Sequence, residues 1–385
     1  MDARLLWLAL GAFAGSVESS LVVVVMPDVA AEVGISVADA GWLIFVYSLA
    51  YGIGTPIFAT LFGRVDRRTV VAGAEFLFGA MALLFGLLPG YLLLLGARTF
   101  LAVGAGMFTS TAQSTAVALA APGKRGSAIS TVVMGGSIAV ALGAPLAALV
   151  ANTFGWRVAY VGLGMIAIVA AATMWMRLPD DIHGDTRTLR ERLSVLKVPG
   201  VPLVLLAAGL AVMGSFTFFN FLAPVTTNLL GLDKSWMPVV LLAFGCGSIF
   251  GNHIGGRLAD RYGGKQTGLV LGGIMIALLV ALPLLPLLPE ALVAPAYLVL
   301  MAVYGAVAWG FMPPQLHRLA ALSAKSVQLS AALNLTAMNL GGALSAVVGG
   351  LVLENLGLVW LGPVGALVSM LALVVAWIAP AGSEH

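Results

Sequence analysis

Twelve apolar runs, each long enough to cross a bilayer, constrain this chain more than any other feature. The first six lie at about Leu5–Met26, Trp42–Phe62, Val70–Leu88, Tyr91–Leu119, Ile129–Val150 and Val158–Met176. The second six lie at about Val201–Leu222, Trp236–Gly255, Leu269–Leu288, Val293–Met312, Leu329–Leu351 and Val359–Ile378. A helix needs roughly 20 apolar residues to cross about 30 Å of hydrocarbon. The runs are continuous rather than alternating, which argues against membrane strands. Composition agrees: 61% of the 385 residues are hydrophobic and 9% are charged, against about 25% charged in soluble domains. The expected fold class is an all-α membrane protein with 12 transmembrane helices. The first run contains Glu18 and is followed by acidic residues rather than a small-residue cleavage site, so it reads as a span and not a signal peptide.

Charge sets the orientation. The connections after runs 2, 4, 6, 8 and 10 carry Arg64, Arg67, Arg68, Lys124, Arg125, Arg177, Arg187, Arg190, Arg192, Lys197, Arg257, Arg261, Lys265, Arg318 and Lys325. The opposite side holds only Arg157 and Lys234 among six acids: Asp28, Glu32, Asp39, Asp233, Glu290 and Glu354. The positive-inside rule then puts both termini in the cytoplasm. The pI of 9.1 comes from those basic loops and fits anionic lipid head groups, not nucleic acid. The single Cys246 excludes an internal disulfide and is read as a small buried apolar residue.

The longest polar stretch, Arg177–Gly200, follows six runs and precedes six more. It divides the chain into residues 1–178, a linker at 179–200 with a short surface helix near Thr188–Val195, and residues 201–385. The halves resemble each other. "ATLFGRVDRR" after run 2 answers to "GGRLADRYGGK" after run 8, and "LVANTFG" to "LVLENLG", each pair about 200 residues apart. Internal repeats mark secondary transporters, with a substrate site between the repeats.

These motifs also carry a family resemblance. "GRLADRYGGK" (Gly256–Lys265) resembles the loop signature of the major facilitator superfamily. "ARTFLAVGAG" (Ala97–Gly106) is similar to the run-4 arginine motif of its 12-span drug:proton antiporters, of the arabinose/drug efflux permease type. "GAPLAALVANTFGWR" (Gly143–Arg157) resembles their run-5 antiporter motif, and "ESSLVVVVMP" (Glu18–Pro27) the acidic start of their first span. Gly63 stands where the family carries Asp, and Ala147 and Ala148 where it carries glycines after Pro145. The resemblance implies the major facilitator fold, two six-helix bundles around a central cavity. It also implies a cytoplasmic gate at Gly256, Asp260 and Arg261, with Arg64 and Arg67 as a poorer copy of that device. Gly143 and Pro145 are the matching positions of the antiporter motif.

Three formally charged side chains lie well inside the runs: Glu18, Glu75 and Arg98. Charges at that depth cost at least about 2.5–3.5 kcal/mol and are functional candidates by default. Glu18 precedes Pro27 by nine positions and Arg98 follows Tyr91 by seven, about 13 Å and 10 Å from the same membrane face at about 1.5 Å per residue. Their depths are comparable, and the resemblance implies that runs 1 and 4 both line the central cavity, which allows a Glu18–Arg98 interaction, direct or through water. Two readings stand: a proton site, where desolvation and a nearby guanidinium pull the carboxyl in opposite directions, or a static buried ion pair. Glu75, seven positions after Arg68, is a transport residue or a carboxyl that snorkels, stays protonated or meets the basic loop. Gly247, Gly251 and Gly255 share one helix face and allow close helix approach. His253 is a pH sensor or, more simply, a packed or loop-bonded histidine.

The expected substrate wall is aromatic with a few amides: Phe216, Phe219, Asn220, Tyr304, Trp309, Asn334 and Gln113. The same residues also read as ordinary core and lipid-facing aromatics. No HExxH, G-x-S-x-G, Walker or CxxC pattern is present, so no enzyme, cofactor or metal site is expected; lack of an ATP motif argues for a secondary transporter driven by an ion gradient, and the antiporter resemblance implies that the ion is the proton. The reading is a monomeric inner-membrane exporter of a small drug or metabolite by proton antiport. A proton-coupled importer is the first alternative. A non-transporting sensor is the second, although the central linker is too short for a signalling module.

Overall fold

The computed structural model describes residues 4–121, 124–180, 188–323 and 326–380; Arg187 and Lys325 of the basic loops, and residues 181–187 of the linker, lie outside them. Twelve helices are long and apolar enough to span a membrane, and no strand occurs among the described residues. They are α1 (Arg4–Val33), α2 (Val37–Leu61), α3 (Arg67–Leu87), α4 (Tyr91–Leu119), α5 (Gly126–Phe154), α6 (Trp156–Arg177), α7 (Val201–Phe219), α8 (Lys234–Tyr262), α9 (Gly264–Leu287), α10 (Glu290–Leu322), α11 (Val327–Asn355) and α12 (Leu358–Ile378).

Several helices outlast their apolar runs. α1 continues through Pro27 to Val33, so Glu18 lies deeper than its distance to Pro27 suggests. α10 bends at Phe311 and resumes with Pro313 and Pro314 in the first turn of its second segment, where a missing N–H is tolerated. The linker helix forms at Leu189–Leu193 behind a capping box: Thr188 Oγ1 accepts from the Glu191 N–H at 3.3 Å, and Glu191 Oε2 accepts from the Thr188 N–H at 2.7 Å.

Helix pairing recurs after six helices. The α1–α5, α2–α4 and α3–α6 contacts reappear as α7–α11, α8–α10 and α9–α12. Small residues make these seams. A Cβ on Gly247, Gly251 or Gly255 of α8 would collide with the carbonyls of Ala302, Ala306 or Gly310 on α10, the close approach expected of that spacing. In the same way Gly135 of α5 lies on the Ala9 carbonyl of α1, and Gly341 of α11 on the Gly209 carbonyl of α7. The first six helices meet the last six mainly along α2–α11 and α5–α8.

α5 contains a π turn at Ala139–Gly143, where the Ala144 N–H reaches back five residues to the Ala139 carbonyl. Pro145 follows in the first turn of the next segment and has no N–H to continue the ordinary ladder. The turn is wedged between helices. A Cβ on Gly143 would meet Val17 Cγ2 of α1 at 2.5 Å, and one on Gly245 of α8 would meet Ala141 Cα at 2.6 Å.

The two ends of the bundle differ. At the basic end, Arg68 pairs with Asp180 and stacks over Trp175, and Arg192 donates to the Ala59 carbonyl at 3.3 Å. Arg318, buried, donates to the Ala376 and Ala379 carbonyls at 3.1 Å and closes the end of α12. At the other end, both stray cations meet acids of α1. Arg157 binds Glu32 at 2.8 Å, and Lys234 binds Asp28. Cys246 corrects the sequence reading: it is exposed, on an α8 flank that also shows Ile249 and Phe250.

Candidate functional site

Glu18 and Arg98, which the resemblance allowed to interact, form an ion pair, each at most 1% exposed. Five helices build the surroundings. Tyr160 of α6 donates its hydroxyl to Glu18 Oε1 at 3.1 Å, and Arg98 Nη1 donates to Tyr160 Oη at 3.3 Å. Arg98 Nε donates to the Leu43 carbonyl of α2 at 3.2 Å. The guanidinium lies 4.6 Å from the Tyr47 ring centroid and 5.8 Å from that of Phe85 on α3. Glu18 Oε2 has no hydrogen-bond partner.

This geometry has two chemical consequences. The guanidinium is over-determined, held by a carboxylate, a phenol, a carbonyl and an aromatic face, so Arg98 is the fixed member. The carboxyl has one oxygen committed and one free. Adding a proton to Glu18 leaves the fixed cation without its charge partner, and a buried lone charge is strongly disfavoured. Glu18 is thus the less constrained member of the pair. Ser19, the next residue, is exposed midway along α1.

A cavity of about 440 Å³ opens towards the basic end between α5, α8 and α10. Ser137, Ser248, Asn252, His253, Gly256, Asp260 and Trp309 are on its wall. Asp260 is exposed and makes no ion pair among the described residues. Arg261 points away, over the Tyr262 ring at 5.1 Å. Arg64 is exposed in the α2–α3 turn and Arg67 opens α3. The interlock expected at Asp260 and Arg261 is therefore not formed in this conformation, in which α5 and α8 stand apart at that end.

The expected substrate wall does not converge. Tyr304 is buried, donates to the Ser215 carbonyl at 2.6 Å and stacks with Phe219, which also packs on Phe244 and Phe216. Asn220 donates to Ser345 Oγ at 2.9 Å, and Asn334 is buried with its amide 3.4 Å from Met338 Sδ. These side chains hold the last six helices together. Only Trp309 reaches the cavity, and Gln113 is exposed separately on α4. Tyr160, Tyr47 and the Leu43 carbonyl were not singled out in the sequence, where an aromatic residue in an apolar run carries no mark.

Glu75 neither snorkels nor meets the basic loop. It is 1% exposed on α3, and its Oε1 has no hydrogen-bond partner. A Cβ on Gly11 of α1 would stand 3.0 Å from its Oε2 and 2.5 Å from Phe108 Cζ of α4.

Comparison with known proteins agrees with this architecture. The "Inner membrane transport protein YdhP" of Escherichia coli (strain K12) is 28% identical over 374 residues, covering 97% of this chain and 95% of that one. The "Chloramphenicol resistance protein" of Streptomyces lividans is 30% identical over 360 residues, covering 91% and 90%. In fold, the chain is similar to a bacterial homolog of the human lysosomal transporter Spinster, with a TM-score of 0.75 at 18% identity over 97% of this chain and 96% of that one. The model of the Major Facilitator Superfamily matches residues 8–346. With twelve spans, paired six-helix packing and that match over nearly the whole chain, this membrane transporter belongs to the Major Facilitator Superfamily.

Proposed function

We propose that this transporter exports a small organic compound in exchange for protons, with Glu18 as the proton carrier and Arg98 as its fixed counter-charge. The carrying observation is the buried Glu18–Arg98 pair, which has one carboxyl oxygen uncommitted. The name of the Streptomyces relative supports export, and chloramphenicol is the natural first probe. No cofactor takes part in this reading; the proton gradient drives it.

In the cycle, the conformation described here receives solute from the basic end, which the positive-inside rule assigns to the cytoplasm. Asp28–Lys234 keeps the other end shut. Rocking of the two six-helix sets breaks that contact and closes α5 on α8, bringing Asp260 and Arg261 into play. A proton arriving from the far side neutralises Glu18, frees Arg98 from its partner and favours return.

The test uses everted membrane vesicles with a pH-sensitive dye. Addition of chloramphenicol should release protons from energised vesicles holding the wild type and not from those holding Glu18→Gln. Equal signals from the two would remove Glu18 from coupling, and a solute-driven signal of the opposite sense would mark the chain as an importer.

A further inference from the structure

We infer that Glu75 is a second proton-binding site, lying between Glu18 and the basic end of the bundle. The inference rests on the proton-coupled reading above. α1 and α3 both start at the basic end. Glu75 follows Arg68 by seven positions and Glu18 follows Arg4 by fourteen, so they lie about 10 Å and 21 Å from that end at about 1.5 Å per residue. On α1, Gly11, seven positions before Glu18, faces Glu75: a Cβ added there would stand 3.0 Å from Glu75 Oε2. One helix therefore covers both carboxyls, two turns apart.

The surroundings offer no counter-charge. α1 presents Gly11, and its nearest charged residues, Arg4 and Glu18, are each seven positions away. α4 presents Phe108, and its one charged residue, Arg98, is bound to Glu18. α6 carries charges only at its ends, Arg157 bound to Glu32 and Arg177 in the last turn, and its Tyr160 is bound to Glu18. On α3 itself Arg68 is paired with Asp180, and Arg67 opens the helix eight positions before Glu75. Val71, Ala74, Ala112 and Ala170 form one buried cluster with Phe108, and the buried hydroxyls on that face of α4, Thr111 and Thr115, donate to the Met107 and Thr111 carbonyls and carry no charge. A carboxylate without partner in such a layer is strongly disfavoured. In this packing the Glu75 carboxyl is neutral and carries a proton.

Gly11 makes the cover removable. Its bare Cα lets α1 close directly on the carboxyl and the Phe108 ring, with nothing interlocked. When α1 moves away from α3 and α4, water reaches the carboxyl, O–H ionises and the proton leaves towards the basic end. Because α1 also carries Glu18, one helix displacement uncovers both sites, and a cycle can carry two protons rather than one.

The test needs no solute, so its outcome is independent of transport direction. Full-length protein in lipid nanodiscs is titrated with pH under infrared difference spectroscopy, in H₂O and D₂O. Subtracting variant from wild-type spectra removes the background of the other acids; the wild-type minus Glu75→Gln difference is expected to hold one titrating carboxylic C=O band, and the wild-type minus Glu18→Gln difference a second one at another position. Gly11→Ala should shift the Glu75 band and leave the Glu18 band in place. The inference is overturned if Glu75→Gln matches the wild type at every pH, or if its band neither titrates nor shifts in D₂O, which would mark a permanently protonated packing group.

Discussion

Lys234 at the start of α8 pairs with Asp28 of α1 and so ties the last six helices to the first six at the end away from the basic loops. Asn152 of α5 reinforces the tie by donating to the Lys234 carbonyl at 3.1 Å. The Lys234 and Asp28 side chains are 38% and 33% exposed, so the pair contributes at most about 1 kcal/mol. That is a latch weak enough to open in every cycle. Lys234→Met should raise the population open at that end by up to about 5-fold. Distances between spin labels placed on the outer ends of α1 and α8 would show it, and swapping the two charges should restore the wild-type distribution.

The Glu18–Arg98 pair should behave as a unit in stability measurements. Arg98→Ala leaves a buried carboxylate alone and should cost about 3–5 kcal/mol. Glu18→Gln with Arg98→Gln should cost less than Arg98→Ala alone, because no charge is then stranded. A thermal-unfolding double-mutant cycle in detergent measures the difference, and strict additivity would contradict the pairing.

Tyr160→Phe separates positioning from charge. It removes the donor to Glu18 Oε1 and the acceptor for Arg98 while preserving the ring that packs on Phe85 at 4.4 Å. Each of the two buried hydrogen bonds lost costs about 1–3 kcal/mol. Proton release in the vesicle assay should shift along the pH axis with little change in protein yield.

The α8–α10 seam predicts a contrast between two glycines. Gly251→Ala puts a methyl into the Ala306 backbone and should lower stability by about 1–3 kcal/mol. At Gly256 the nearest atom to an added Cβ is Pro313 Cβ at 3.9 Å, so Gly256→Ala should leave the melting temperature near wild type. Fluorescence-detected melting of the two variants side by side decides it.

Arg318 caps α12 from within the membrane end of α10, where its guanidinium meets carbonyls left over by the helix terminus. Arg318→Met keeps much of the volume but strands those carbonyls. It should destabilise by about 1–3 kcal/mol, with Arg318→Lys between the two, as read from melting temperature.

The twelve spans were legible because hydrophobic length is additive along a chain and needs no partner to be read. Glu18 and Arg98 were legible for the opposite reason: each is an exception whose depth can be counted from a span end. Tyr160 and Tyr47 were not, since an aromatic ring inside an apolar run looks the same whether it faces lipid or a guanidinium. The same holds for the expected substrate wall: Tyr304 and Phe219 have the composition of a cavity lining, while in this conformation they pack on each other and on the Ser215 backbone. The π turn at Ala139–Gly143 was hinted at by Pro145, but its wedging against Val17 and Gly245 depends on two helices distant in sequence.

Cys246 sits between Gly245, which touches α5, and Gly247, which touches α10, and its thiol faces outward. The chain's single thiol therefore stands on the outer flank of α8, at the line where α5, α8 and α10 meet. A fluorophore attached there needs no cysteine-free background, and a second cysteine placed on α5 would turn that thiol into a ruler for the opening and closing of the bundle.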